Sequence, residues 1–440
     1  MWAWLLNATY LLALLVWTPV VLWQRWVHGK SRGGWNERLF GPSLNVRTMV
    51  PNGQARAVVW LHAVSVGEVN LLATLVPALQ ERYPDYQFAI SATTDAGLAL
   101  ARERFPRDCV FRFPLDFSWA MRSVLRQLRP TAVVLAELEI WPNLLRQLQR
   151  SQVPVIVVNG RLSEKSFARY RLVRWMMAPI FRSLSLVLAQ TEEYRARFLA
   201  LGVPKKRCRV AGSIKFDSAQ LNRQNPLTES LRVWAGIAPP DVIWLAGSTS
   251  APEEELVLQV FRGLHDEFPN LRLALVPRHR ERFEEVARLC VESELRVCRR
   301  SQAASGSVEP WDVLLVDTIG ELSAWWGVAD IGFVGGSMGV RGGQSMIEPA
   351  GYGVAISFGP KTSNFRDVVS LLLADDAAVV VSNADDLRNF VRRCCQETAF
   401  RIEMGQRAQD IAKSQTGATA RTIEFMAPLF SLSLREVSKE

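Results

Sequence analysis

The stretch AVVWLHAVSVGE, residues 57–68, contains the unit from which the fold is predicted. Its first seven residues form an apolar run as long as a buried strand, and a loop containing Gly67 then leads into the helical pattern of residues 71–79. An apolar strand that is followed by an amphipathic helix is typical of parallel sheets in α/β proteins.

The same unit recurs along the chain, where thirteen short runs rich in Val, Ile and Leu alternate with longer amphipathic segments. They cover residues 57–63, 87–92, 109–115, 132–136, 153–159, 184–189 and 207–212 in the first half, and 242–247, 271–276, 313–316, 331–335, 354–358 and 377–381 in the second. The predicted fold class is therefore α/β, with two Rossmann-like, doubly wound domains.

The two halves are separated by a polar segment that contains Pro226, Pro239 and Pro240. We therefore predict two domains whose sheets present their carboxyl ends to a common cleft, where such folds bind ligands. The predicted parts are an apolar helix at 1–26, a first domain at 27–217, a linker at 218–240, a second domain at 241–425 and a tail at 426–440.

The first 24 residues contain no charged side chain, and Arg25, His28, Lys30 and Arg32 follow them. A helix of about 20 apolar residues can span a bilayer, and basic residues after it predict that the following chain stays in the cytoplasm. We expect an anchor in the inner membrane with cytoplasmic catalytic domains. A cleaved signal peptide is disfavoured because its basic residues would precede the apolar run. A helix that lies in the membrane interface is an open alternative.

The chain carries a formal charge of +9 and has a pI near 9.5, which suits a nucleic acid, an anionic membrane face or a phosphorylated substrate. Basic clusters interleaved with aromatic residues are not evident, so no nucleic-acid partner is predicted. Six cysteines without a CxxC pair and only four histidines predict no metal centre.

Acidic and basic residues follow three runs of the first half. Glu68 lies near a predicted helix start, where it is either a proton acceptor or an ordinary first-turn acid. Glu137 and Glu139 follow the fourth run, so at least one should face the cleft, although Glu137 could instead bind Arg161. Lys215 follows the seventh run, where it either neutralises a phosphate or is a surface lysine.

In the second half Arg278 follows an apolar run, and the segment 341–350 contains the pair Gly342 and Gly343. Such a pair allows the backbone to approach an oxyanion, and a helix beginning near Gln344 would direct its positive end at a phosphate. Glu348, one turn later, could accept hydrogen bonds from ribose. The sequence contains neither GxGxxG nor a P-loop.

In this order the segments resemble the 3-deoxy-D-manno-octulosonic acid (Kdo) transferases of lipopolysaccharide synthesis, which are glycosyltransferases of the GT-B fold. The resemblance extends to about residue 425. The segments that carry it are HAVSVGE (62–68), ELEIWPN (137–143), NGRLS (159–163), GSIKFD (212–217), PRH (277–279), DTIGEL (317–322), FVGGS (333–337) and GGQSMIEPA (342–350).

The resemblance implies inverting transfer of Kdo from CMP-Kdo to a lipid A precursor, lipid IVA, with no metal and no other cofactor. It assigns the general base to Glu68 and transition-state stabilisation to Glu137 and Lys215. It assigns the CMP contacts to Pro277, Arg278, Ile319, Gly320, Glu321, Ser345, Met346, Ile347 and Glu348. The partners it implies are CMP-Kdo, the glycolipid and the anionic face of the inner membrane.

The chain departs from the family pattern at a few positions. Gln344 and Ser345 stand where many members have His and Asn, and Ile319 stands where Met is frequent. A UDP-sugar-dependent GT-B transferase or epimerase, and a degenerate membrane-associated module that binds CMP without turnover, are the alternative functions.

Overall fold

The computed structural model describes residues 2–28, 34–44, 57–303 and 309–437. The described residues form two compact units. The first unit comprises residues 1–217 together with 417–440, and the second comprises residues 218–416. Each unit contains one seven-stranded sheet with helices against it.

All thirteen apolar runs are strands in the structure. The strands of the first unit are β1 (Ala57–Ala63), β2 (Tyr86–Ala92), β3 (Cys109–Arg112), β4 (Ala132–Ala136), β5 (Val155–Gly160), β6 (Leu186–Ala189) and β7 (Cys208–Val210). Those of the second are β8 (Val242–Thr249), β9 (Leu271–Pro277), β10 (Val297–Arg299), β11 (Val313–Leu315), β12 (Ile331–Val334), β13 (Ala355–Phe358) and β14 (Ala378–Val380). Among the strands that the structure describes, only β10 was not predicted. Its three residues are half-buried and end in Arg299, which a second arginine follows, so they do not form an apolar run.

The helices connect and cover these strands. In the first unit they are α1 (Trp2–His28), α2 (Trp35–Phe40), α3 (Val66–Arg82), α4 (Asp95–Arg104), α5 (Ser118–Leu128), α6 (Pro142–Arg150), α7 (Glu164–Leu172), α8 (Arg174–Ser183), α9 (Glu192–Leu201) and, at the other end of the chain, α18 (Ala418–Val437). In the second they are α10 (Pro226–Trp234), α11 (Glu253–His265), α12 (Phe283–Glu292), α13 (Leu322–Val328), α14 (Ile347–Gly351), α15 (Arg366–Ala374), α16 (Ala384–Gln396) and α17 (Thr398–Gln415).

The strand order reverses direction once in each sheet. The first sheet has the order β3-β2-β1-β4-β5-β6-β7 and the second the order β10-β11-β9-β8-β12-β13-β14, with parallel pairing throughout the described strands. The point of reversal therefore lies between β1 and β4 in the first sheet and between β8 and β12 in the second. Open α/β sheets bind ligands at the carboxyl ends of strands beside such a point.

Both faces of the first sheet are buried, which explains why its strands are nearly continuous apolar runs. Along β1, Val59 and Leu61 pack into one hydrophobic layer, whereas Val58 and Trp60 pack into the layer on the opposite face. The alternation follows from the two-residue period of a strand. The carboxyl ends of β1 and β4 are thus held in a rigid scaffold.

The units divide the chain differently from the predicted domains. Residues 218–240, predicted as a linker, belong to the second unit, where Trp311 Nε1 donates to Ala235 O at 2.9 Å. The second unit ends at residue 416 rather than 425, because α18 returns to the first unit. There Met426 and Phe430 are fully buried, and Tyr86 Oη donates to Phe430 O at 2.6 Å.

The apolar N-terminal segment forms α1, which matches the predicted helix closely. Among the residues that the structure describes, none of the helices is both long enough and apolar enough to cross a bilayer. The membrane anchor stays a prediction.

Candidate functional site

The first candidate site lies where the order of the first sheet reverses. The loop after β1 leads into α3 and carries Glu68, and the loop after β4 leads into α6 and carries Glu137 and Glu139. Since β1 and β4 are hydrogen-bonded neighbours, the two loops leave the same edge of the sheet side by side. The predicted acids therefore lie at the position where such sheets bind ligands.

Glu68 turns its carboxylate back toward the end of β1. Its Oε2 accepts the backbone N–H of Val64 at 2.6 Å, and its Oε1 accepts the hydroxyl of Ser65, the N-cap of α3, at 3.2 Å. Val64 and Ser65 are the two residues before α3, so these bonds tie the carboxylate to the loop that leads into the helix. Glu68 therefore keeps a defined orientation.

The surroundings of Glu68 change its acidity. Burial raises the pKa of Glu68 to about 7, the hydrogen bond from Val64 opposes this, and the charge of Glu137 raises the pKa further. A carboxyl group that exchanges its proton near neutral pH is suited to general acid–base chemistry. A pKa near 7 is compatible with the predicted role of Glu68 as a general base, and that role stays a prediction.

Glu137 is fixed by its backbone and by an ion pair. Its φ of 58° lies in the left-handed region, and its N–H donates to Val158 O at 2.9 Å, so the chain turns sharply at the end of β4. Glu137 Oε1 lies 2.9 Å from Nζ of Lys215, and both side chains are partly exposed. The structure thus brings together two of the three predicted catalytic residues, one after β4 and one after β7.

Glu139 is a third acid at this edge, to which the sequence prediction gave no role. Burial raises the pKa of Glu139 to about 8, and the charges of Glu68 and Glu137 raise it further. The mutual effect of these charges shows that the three carboxyl groups form one cluster. The spacing of two acids by one residue directly after a strand points to Glu139 as well as to Glu137, without giving Glu139 a role in catalysis.

His62, at the end of β1, supports the cluster from inside the first unit. It is fully buried, its ring stacks on Phe113 with centroids 3.9 Å apart, and its Nδ1 lies 2.9 Å from the Ser91 hydroxyl. Burial lowers the pKa of His62 to about 3, so the imidazole is neutral at physiological pH. We therefore assign His62 to the scaffold and not to proton transfer.

In the second unit, Pro277 is the last residue of β9 and Arg278 follows it. Pro277 pairs with Thr249 of β8, and the N–H of Arg278 donates to Thr249 O at 2.9 Å. Burial raises the pKa of Glu348, and the positive charge of Arg278 opposes this effect. Arg278 and Glu348, predicted from segments about 70 residues apart, therefore lie close enough to interact.

Glu321, the last residue of the predicted contact segment 317–321, forms a strong ion pair with Arg300. The guanidinium of Arg300 donates to both carboxylate oxygens at 3.0 and 2.9 Å, and the Thr318 hydroxyl donates at 2.6 Å. Although burial acts in the opposite direction, these hydrogen bonds hold the pKa of Glu321 below its usual value. Ile319 is 74% exposed, and Gly320 has a φ of 94°. The neighbours Ile319 and Gly320 therefore offer backbone at the surface, while Glu321 is already paired.

The glycine-rich segment 342–348 differs from the prediction of a helix that begins near Gln344. The helix, α14, begins at Ile347 and has only five residues. The chain before it is irregular because Gly342 and Gly343 adopt φ values of 87° and 83°, and Gly343 N–H donates to Gly336 O. A strong helix dipole directed at a phosphate is therefore not available here.

The predicted contacts in this segment are of two kinds. Met346 and Ile347 are buried as whole residues, so neither offers surface to a ligand in this structure. The hydroxyl of Ser345 accepts the N–H of Ile347 at 3.4 Å, and the side chain of Glu348 is partly buried.

Glu253 is a buried acid that the sequence prediction did not identify. Its carboxylate accepts four backbone N–H groups, from Ser250 at 2.9 Å, Gly336 at 2.7 Å, and Ser337 and Met338 at 2.9 Å each. Glu253 thereby joins the loop after β8 to the loop after β12, across the point where the second sheet reverses.

Two Rossmann-like units in one chain are the architecture of the GT-B class of α/β proteins. In this chain, acidic and basic residues follow the strands of these units. The chain has this fold in common with the UDP-GlcNAc 2-epimerase from Neisseria meningitidis, with a TM-score of 0.55 over 84% of this chain and all of that one. The two sequences are 12% identical, so the likeness concerns the fold alone.

Sequence comparison narrows the class. Residues 33–218 match the family described as 3-Deoxy-D-manno-octulosonic-acid transferase (kdotransferase). The 3-deoxy-D-manno-octulosonic acid transferase from Haemophilus influenzae is 33% identical, covering 84% of this chain and 86% of its own length. The enzyme of the same name from Bordetella pertussis is 34% identical, covering 95% and 98%. The chain belongs to the 3-deoxy-D-manno-octulosonic acid transferase family and is a glycosyltransferase.

Proposed function

We propose that this protein transfers Kdo from CMP-Kdo to a hydroxyl group of a lipid A precursor such as lipid IVA, with inversion at the anomeric carbon. The observation that carries the proposal is the cluster at the end of β1 and β4. There, a carboxyl group with a pKa near 7, Glu68, lies close to the ion pair of Glu137 and Lys215.

In the proposed reaction Glu68 takes the proton of the acceptor hydroxyl group. At the same time the oxygen of that hydroxyl group bonds to the anomeric carbon of Kdo. The bond from that carbon to the phosphate of CMP breaks, CMP leaves with the electron pair, and the proton ends on Glu68. A positioned base of this kind contributes about 10²- to 10⁴-fold to the rate. The configuration at the anomeric carbon is inverted because the acceptor attacks from the side opposite the leaving group.

The charges of the ion pair suit the charge that develops in this reaction. The anomeric carbon gains positive character, which the carboxylate of Glu137 stabilises, and the leaving phosphate gains negative charge, which Lys215 stabilises. Fixing both groups in advance avoids reorganisation during the reaction. Glu137 is fixed by its turn after β4 and by Lys215, as described above.

We assign donor binding to the second unit. Arg278 offers a cation for the phosphate of CMP. Ile319 and Gly320 offer backbone groups at the surface, and the remaining contacts are assigned to the start of α14, at Ser345, Met346 and Ile347. Glu348, beside Arg278, is the proposed acceptor of ribose hydroxyl hydrogen bonds.

We further propose that the protein works at the anionic face of the inner membrane, where its acceptor lies. The formal charge of +9 favours that surface. In α1 several large apolar side chains are directed to solvent, namely Trp4 (78% exposed), Leu5 (66%), Leu12 (64%), Leu15 (73%) and Val16 (71%). A contiguous apolar surface of this kind is typical of a membrane contact.

The test is to incubate the protein with CMP-Kdo and lipid IVA in vesicles, measuring CMP release and the mass of the lipid product. A product heavier by one or more Kdo units is expected. Competition by CMP and by UDP in the same assay identifies the nucleotide that is bound. Absence of CMP release above background in both vesicles and detergent overturns the proposal, and CMP binding without turnover indicates a module without catalytic function.

A further inference from the structure

The helix α1 has an unusual distribution of polarity. Its apolar residues Leu5, Leu12 and Leu15 are exposed, whereas Asn7 is only 4% exposed. A helix that packs on a protein by hydrophobic contact shows the reverse arrangement. Specific hydrogen bonds therefore hold this part of α1 on the first unit.

Asn7 connects α1 to the first turns of two other helices. Its Oδ1 accepts the backbone N–H of Ser118 at 3.1 Å and the side-chain amide of Asn143 at 3.1 Å. Its Nδ2 donates to the hydroxyl of Ser118 at 2.7 Å. Ser118 is the first residue of α5 and Asn143 is the second residue of α6, so one buried amide joins three helices.

Asp116, two residues before α5, adds further hydrogen bonds to this network. Its carboxylate accepts the backbone N–H groups of Asn143 at 2.8 Å and Leu144 at 2.9 Å, and the hydroxyl of Tyr10 in α1 at 3.3 Å. The residue at the N-cap position of α6 is Trp141, whose indole can only donate. Asp116 therefore supplies, from another part of the chain, the acceptor that the start of α6 needs.

The acidic loop, residues 137–141, lies between β4 and α6 and is held at both ends. At one end the N–H of Glu137 donates to Val158 O. At the other end the loop runs directly into Pro142 and Asn143, which Asp116 and Asn7 hold. Glu139 lies between these two points, so its position depends on both.

From these contacts we infer that Asn7 and Asp116 are positioning residues for the acidic loop, and that α1 is thereby a structural part of the proposed catalytic edge. The inference rests on the proposed function of Glu137 and its neighbours. According to this inference α1, for which we propose a contact with lipid, also determines the geometry of the carboxyl groups in the acidic loop. Loss of Asn7 leaves the amide of Asn143 with one contact fewer and releases α1 from the start of α6.

The first experiment compares Asn7→Leu with Gln127→Leu as the matched control. Gln127 also makes several hydrogen bonds within the first unit, to Pro42 O, Leu44 N and Ser123, but none of these touches α6. With CMP-Kdo and detergent-dispersed lipid IVA, we expect Asn7→Leu to lower kcat by about tenfold to a hundredfold, because small displacements of reacting groups have effects of this size. CMP affinity should be unchanged. Gln127→Leu should lower the melting temperature similarly and leave kcat within about twofold of the unmodified protein.

A second measurement does not depend on turnover. Amide hydrogen exchange of residues 138–144 should become faster in Asn7→Leu, while exchange in β5 should not change. Asp116→Asn, which keeps the shape of the side chain, should accelerate exchange in the same residues. Leu12→Ser, on the outer side of α1, should weaken vesicle flotation and leave this exchange unchanged.

The outcomes separate the two proposals. If the unmodified protein fails to turn over while both Asn7→Leu and Asp116→Asn accelerate exchange in residues 138–144, the proposed function is wrong and the positioning role stands. If Asn7→Leu matches Gln127→Leu in kcat, or if exchange in residues 138–144 is unchanged in both network variants, the positioning role is overturned.

Discussion

The two units of the chain place a glutamate at the same point of their folds and surround it differently. Glu68 and Glu253 each follow the first strand of a sheet and lie in the first turn of the next helix. The Glu68 carboxylate accepts one backbone N–H and one hydroxyl and remains partly accessible. The Glu253 carboxylate is 1% exposed and accepts four backbone N–H groups.

The difference shows that position in the fold does not determine what an acid does. A carboxylate has about four sites for hydrogen-bond donors, so four N–H groups fill those of Glu253 and make it a link between two loops. Glu68 keeps free acceptor capacity and exchanges its proton near neutral pH. The number of donors that the surrounding backbone provides therefore separates the structural acid, Glu253, from Glu68, for which we propose a reactive role.

The largest effect is expected when the reactive acid is changed. Glu68→Gln keeps the side-chain length, and its amide oxygen can still accept the N–H of Val64 while its amide nitrogen can donate to the Ser65 hydroxyl, but it cannot take a proton. We expect kcat to fall by about 10²- to 10⁴-fold, with a small change in melting temperature.

The matched control is Glu81→Gln, an exposed acid near the other end of the same helix. It should retain the activity of the unmodified protein. Equal activity of Glu68→Gln and Glu81→Gln, measured as CMP release at saturating substrates, would show that Glu68 only orders the loop before α3.

The structural acid should give the opposite result. Glu253→Ala leaves the N–H groups of Ser250, Gly336, Ser337 and Met338 without their acceptor in a buried site. Each such group costs about 1–3 kcal/mol, so the free energy of unfolding of the second unit should fall by about 4 kcal/mol or more. Urea unfolding followed by tryptophan fluorescence measures this.

Glu255→Ala is the control for this change, since Glu255 is exposed two residues further along α11. It should alter stability by less than about 0.5 kcal/mol. If Glu253→Ala unfolds at the same urea concentration as Glu255→Ala, the four hydrogen bonds do not have the structural role that we assign to them.

The comparison also shows which features the sequence could reveal. Strands buried on both faces must be apolar along their whole length, so thirteen of the fourteen were recognisable from local residues. Parallel strands end at the same edge, so the sequence indicated which loops carry the candidate residues Glu68, Glu137 and Lys215. It did not indicate that Glu137 pairs with Lys215, as it does in the structure.

Features that depend on distant partners were not recognisable. The donors to Glu253 come mainly from residues more than 80 positions further along the chain, and Arg300 pairs with Glu321 across 21 positions. The helix predicted near Gln344 begins later because two glycines adopt left-handed backbone angles that the sequence permits without requiring them. Local patterns report burial and turns, whereas hydrogen-bond partners follow from the packed structure.

A smaller effect on rate is expected when the cation of the cluster is removed. Lys215→Met keeps most of the side-chain length and removes the charge beside Glu137. The loss of one electrostatic contact to the transition state should lower kcat by about 10²-fold. Lys206→Met, an exposed lysine in the preceding short helix, is the control and should remain fully active. If the two variants have the same kcat, the assignment of Lys215 is wrong.

The smallest effect concerns the stability of the first unit as a function of pH. The pKa values of Glu68 and Glu139 are raised to about 7 and about 8, above the ordinary value of 4.5. A group whose pKa is higher in the folded state binds its proton more tightly there. Its contribution to the free energy of unfolding is therefore complete below about pH 4.5 and is lost as the pH rises through the pKa of the folded state. Between pH 5.5 and 8.5 the melting temperature of the first unit should therefore fall.

Activity should move in the other direction, since a base must be deprotonated, and kcat/KM should rise with pH up to about 7. Glu139→Gln removes one of the two titrations and should reduce the fall in melting temperature without removing the rise in activity. Glu164→Gln, an exposed acid in α7, should change neither profile. A melting temperature of the unmodified protein that rises over this range contradicts the raised pKa values.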